Sequence, residues 1–185
     1  GGMTEANAND TNVFQGITSS TGAVIDGIAK ISLNAPANSG QGLFNPKQNP
    51  EIHFLIKTDS SIADQWFWVG VANLLGTTNP ANGNEALPVA ETNWPNFVGF
   101  YYNSTNTDLR LIHRQQTATA TIDTGGPVLA ASTTYHLAIK FVDYTTTPKI
   151  EWYVNGSLVL STSTNIPIAQ PTTTTGLQIG IIIKI

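Results

Sequence analysis

Two neighbouring stretches, TTYHLAIKFVD at 133–143 and PKIEWYVNGSLVLSTSTNIP at 148–167, decide how this chain folds. In the first, Tyr135, Leu137, Ile139 and Phe141 fall on one side of a two-residue period, with His136, Ala138 and Lys140 on the other. In the second, Ile150, Trp152 and Val154 oppose Lys149, Glu151 and Tyr153. Successive side chains of a strand point to opposite faces, so this period predicts strands with one dry and one wet face, as antiparallel sheets allow. Asn155-Gly156 then stands between two such runs. Both residues tolerate the positive φ of a type I′ turn, so the pair predicts a tight hairpin.

Outward from there the same signature recurs. Ile52, Phe54 and Ile56 alternate with Glu51, His53, Leu55 and Lys57. Strands are expected at 24–33, 51–58, 66–72, 97–102, 109–114, 118–123, 134–142, 149–154, 158–161 and 177–185. Within 66–72, Trp66 and Trp68 share one face and Phe67 and Val69 the other, so one of these pairs is expected to be less buried than a core pair. Helix signals are nearly absent. The stretch Asn73 to Pro95 is interrupted by Pro80, Gly83, Pro88 and Pro95 and reads as one long excursion, of a length that is usually functional or mobile. Residues 1–20 read as a loose lead-in, with Gly1-Gly2 before Met3 resembling a cleavage remnant, and 21–185 as one domain. The expected fold class is all-β, a two-sheet antiparallel sandwich.

Composition narrows the function classes. The 185 residues suit a single core. Cysteine is absent, which removes disulfides and thiolate metal sites. Eight basic and twelve acidic residues give a thinly spread net charge of −4 with no basic cluster, so neither nucleic acid nor an anionic membrane is an expected partner. The longest apolar run, Ile179 to Ile183, is far too short for membrane insertion. It belongs to a terminal strand, 177–185, that is apolar on both faces and carries Lys184 as its only charge. Such a strand at an open edge would aggregate, so it is expected inside a sheet or covered by a neighbouring subunit.

The 133–143 and 148–167 stretches, with NPEIHFLIKTDSSIADQWFWVGVAN at 49–73, resemble the laminin-G and concanavalin A-like jelly rolls. Their pattern is an aromatic-led strand, a strand ending in Tyr/Phe-Val-Asn/Asp-Gly, a short return strand and a proline-closed segment. The version it is most similar to is the lectin-like domain of tailed-phage structural proteins. That resemblance implies a non-enzymatic module on the virion surface, in capsid decoration or a tail fibre. Its partners would be other virion proteins or itself as a homo-oligomer, with weak adhesion to a cell-surface glycan. The alternative is a free-standing carbohydrate-binding module or lectin. A glycoside hydrolase of the same fold is a third reading.

The sequence argues against that third reading. The Glu-x-Asp-x-x-Glu strand of such hydrolases is absent, and Glu51, Asp108, Asp123, Asp143 and Glu151 are isolated from one another. His53, His113 and His136 occur singly, without metal-ligand spacing, and read as solvated strand histidines. A Ser/His/Asp triad would converge only in space, and no G-x-S-x-G elbow is present. No catalytic residue and no cofactor is therefore expected, with calcium left open. Its candidate ligands are Asn79, Asn82, Asn84 and Glu85, or Asn103, Asn106 and Asp108, although turn-forming Asn and Asp explain both groups. For a glycan, Trp94 with Tyr102, Asn103 and Asn106 are the candidate binding residues, an aromatic surface flanked by amides. Trp66, Trp68 and Trp152 are expected in the core.

Overall fold

The computed structural model describes residues 46–63, 65–72, 96–103, 106, 108–115 and 118–167, and the strand backbones at 3–5, 14–16, 28–32 and 178–184. Twelve strands run in chain order: β1 Met3–Glu5, β2 Phe14–Gly16, β3 Ile28–Ser32, β4 Glu51–Lys57, β5 Trp66–Ala72, β6 Phe97–Tyr102, β7 Arg110–Arg114, β8 Thr121–Asp123, β9 Thr134–Val142, β10 Lys149–Val154, β11 Ser157–Thr162 and β12 Gln178–Lys184. A single 3₁₀ turn, Pro46–Gln48, is the one helical element among the described residues. Every strand pairing is antiparallel. The two sheets of the sandwich are four-stranded, β11-β10-β9-β4, and six-stranded, β3-β12-β5-β6-β7-β8. The chain crosses repeatedly between them, giving the all-β jelly-roll sandwich expected from the alternation.

The core lies between the two sheets. Ile52, Phe54 and Ile56 of β4, Leu137, Ile139 and Phe141 of β9, and Ile150, Trp152 and Val154 of β10 face Phe67, Val69, Val71, Val98, Phe100, Tyr102 and Leu111 from the larger sheet. These are the inward residues named by the two-residue period. Trp152 does more than fill space, because its Nε1 donates to the carbonyl of Gly99 across the sandwich at 3.2 Å. The hairpin also forms as expected. Val154 pairs with Ser157, and Asn155 and Gly156 take φ of 51° and 81°. Beyond the turn, the register between β10 and β11 shifts at Trp152/Tyr153, a bulge that helps blunt the exposed edge strand β11.

Two expectations are revised or refined, and a third is met. Every residue of β5 and β6 is buried, so Trp66 and Trp68 are as enclosed as Phe67 and Val69. A second apolar cluster of Trp66, Trp68, Ala72, Phe97, Tyr101 and Ile112 covers the far face of the larger sheet. Gly99 makes room for it, since a Cβ there would stand 2.6 Å from Trp68 Nε1. The lead-in is not featureless: β1 and β2 pair as a small sheet of their own, too short to show a period. The terminal strand is covered within the chain, where β12 lies between β3 and β5. This is the first of the two arrangements expected for it.

Candidate binding surface

The outer face of the four-stranded sheet gathers the wet side of three alternating strands. Its register forms rows: Glu51, Lys140 and Glu151; then His53, Ala138 and Tyr153. Leu55, beside His136, is 73% exposed. Ala138 points outward yet is only 4% exposed, so the larger side chains around it close over its methyl group. The row therefore sets a small, covered residue between two ring-bearing neighbours, His53 and Tyr153. These groups come from residues 51 to 153 and meet because β9 lies between β4 and β10.

Two polar chains cross this face. On one side His53 Nε2 faces Glu51 Oε1 at 3.3 Å, and His53 Nδ1 lies 2.9 Å from His136 Nε2. The two imidazoles stack with centroids 5.0 Å apart and planes 20° apart. On the other side Lys149 Nζ meets Glu151 Oε1 at 2.8 Å, and Tyr153 Oη donates to Glu151 Oε2 at 2.7 Å. The hydrogen bond from Lys149, followed by that from Tyr153, holds the Glu151 carboxyl below its ordinary range. The bond to Glu151 in turn raises both Lys149 and Tyr153. Sequence reading treated these histidines and acids as isolated. The signal that could have joined them was their common outward phase on three strands, but pairing them requires the register.

The residues first named for a glycan fare differently. Trp94 and the excursion around it lie outside the described residues. Tyr102 is 2% exposed, stacks on Phe67 at 5.8 Å and donates from Oη to the Ile62 carbonyl. Its position on the inward phase of β6 puts the ring in the core, where a sugar cannot reach it. Asn103 and Asn106 do come together, but as a turn: Asn106 N and Nδ2 both donate to Asn103 Oδ1, and Asn103 Nδ2 donates to Tyr101 Oη. Arg110 then donates to Asn106 Oδ1 and pairs with Asp108 at 3.0 Å. This arginine supplies the positive charge where the Asn103–Asn106–Asp108 group would have placed calcium. The other calcium candidates, Asn79, Asn82, Asn84 and Glu85, lie outside the described residues. Among the described residues no three His, Asp or Glu converge in a metal cluster.

His113 is not a solvated strand histidine. It is 2% exposed, with Nε2 3.1 Å from Asp123 Oδ2, Nδ1 3.1 Å from the Asn165 carbonyl, and its ring 5.4 Å from that of Trp152. Both ring nitrogens are engaged, so this His–Asp pair has no nitrogen left to activate a serine as a triad requires. Asn165 is the hub beside it. At φ 53° it turns the chain, donates from Nδ2 to Thr119 O and Thr121 Oγ1, and accepts from Gln115 N.

No family model matches this sequence, and no curated protein matches it. Several solved structures are similar in shape. The carbohydrate binding module CBM66 from Bacillus subtilis is 8% identical over 73% of this chain and 68% of its own, with a TM-score of 0.37. An alginate lyase, Aly36B, in complex with alginate trisaccharide is 14% identical over 85% of this chain and 64% of its own, at 0.45. A heptameric pentraxin from Limulus polyphemus is 15% identical over 84% and 62%, at 0.33. All three are jelly-roll sandwiches, and the likeness concerns the fold alone.

Proposed function

We propose that this domain is a non-catalytic carbohydrate-binding module that receives a glycan on the outer face of its four-stranded sheet. The observation that carries the reading is the row His53, Ala138, Tyr153, which sets two planar rings in register on the outer face, one on either side of a small residue. The C–H face of a sugar can lie on such rings, while its hydroxyls find acceptors and donors in Glu51, Lys140 and Glu151. A glycosidase acid needs a raised carboxyl, whereas Glu151 on this face is held low, which suits a hydrogen-bond acceptor rather than a general acid. Screening the purified domain on a glycan array, with chelator present throughout, tests the proposal. Binding to a subset of glycans, abolished by Tyr153→Ala in a protein that thermal melts show to be folded, is the expected result. A blank array, or parent-like binding by Tyr153→Ala, overturns it.

A further inference from the structure

We infer that His53 and His136 form a two-imidazole chelating site for a divalent transition-metal ion of the nickel or copper type. The site shares His53 and Glu51 with the glycan face, but it does not rest on that reading and its test uses no glycan. The pair sits diagonally across β4 and β9, with His53 opposite Ala138 and His136 opposite Leu55, so two hydrogen-bonded strands fix the spacing of its backbones. His53 Nδ1 and His136 Nε2 are 2.9 Å apart. That contact is a hydrogen bond between facing nitrogens; once its proton has left and each ring has turned its lone pair off the line joining them, an ion with metal–nitrogen bonds of about 2.0–2.1 Å bridges nitrogens this far apart at about 90°. This is the cis angle of octahedral or tetragonal coordination, which nickel and copper favour. A tetrahedral zinc ion would need the nitrogens about 3.3 Å apart, so the rings would have to open.

The neighbouring carboxylate is the second, independent feature. Metal-binding histidines generally direct their other ring nitrogen at a carboxylate or carbonyl, which fixes the tautomer and orients the ligating lone pair. Glu51 Oε1 occupies that position behind His53 Nε2 at 3.3 Å, favouring a proton on Nε2 and a bare Nδ1 aimed at His136. For His136 to ligate through Nε2, its proton moves to its own Nδ1. His53 is half exposed, which gives an ion access and leaves its remaining coordination positions to water.

Titration calorimetry with nickel chloride on the full chain tests the site, together with copper(II) electron spin-echo spectroscopy, which counts coordinated imidazoles and distinguishes them from amine and peptide nitrogens. One ion per chain and two imidazoles are expected for the parent. His53→Gln and His136→Gln should each abolish nickel binding and leave one imidazole on copper. Glu51→Gln should weaken binding about tenfold while keeping both imidazoles. Thermal melts in chelator report whether each variant is folded. Absence of nickel binding by the parent, or binding by the folded double variant with the parent's affinity, would overturn the site.

Discussion

Trp152→Ala tests whether the sandwich is held as described. The side chain is fully buried, its ring is 5.4 Å from that of His113, and its Nε1–H crosses to the Gly99 carbonyl of the opposite sheet. Truncating a buried tryptophan costs about 3–5 kcal/mol, because the lost transfer energy is joined by a cavity that neighbours fill only in part. The bond to Gly99 accounts for about 0.5–1.5 kcal/mol of such a loss. For a chain of this size about 1 kcal/mol moves the melting temperature by about 2–4 °C, so a drop of about 6–20 °C is expected. Set against a typical total of about 5–15 kcal/mol, this leaves a domain near its limit. Trp152→Phe keeps most of the ring but loses the cross-sheet bond, and should fall between parent and alanine variant. Leu55→Ala, on the exposed face of β4, should change stability by no more than about 0.5 kcal/mol. Urea titration followed by far-ultraviolet circular dichroism, with thermal melts, measures all three. If Trp152→Ala melted within about 2 °C of the parent, less than 1 kcal/mol would rest on this residue and the cross-sheet anchor would be refuted.

Three further outcomes follow from the same contacts. Removing residues 178–184 should abolish soluble folding, because β12 pairs on both sides with β3 and β5; a soluble variant melting within a few degrees of the parent would contradict that. Asn165→Ala loses three side-chain bonds and a residue type suited to positive φ, so a loss of about 2–3 kcal/mol is expected in urea titration, and a parent-like midpoint would count against the hub. Glu151→Gln should reveal a pH dependence. A carboxyl lowered by folding contributes stability that is present above its unfolded value, near 4.3, and is lost as pH falls through the lower folded value. The parent should therefore melt above Glu151→Gln at pH 7, with the gap closing as the solution is acidified below about pH 4. A gap that stays constant down to acid pH would show that the carboxylate charge is not its source.

The strands with one wet face were readable as sequence. Ile52, Phe54, Ile56, Leu137, Ile139, Phe141, Ile150, Trp152 and Val154 are buried where the two-residue period put them, since direction alternates along any strand whatever its partner. Asn155-Gly156 was readable for an equally local reason, the tolerance of both residues for positive φ. Tertiary structure decided whatever depended on which strands become neighbours. Alternation in β5 cannot reveal that both of its faces are covered, and Tyr102 passes for a sugar platform until its phase on β6 is known. The pairing of His53 with His136, 83 residues away, and the four contacts through Asn165 come from register and from the path of the chain between sheets. Spacing along a sequence holds no record of either, because cross-strand proximity is set by pairing between distant segments rather than by any local rule.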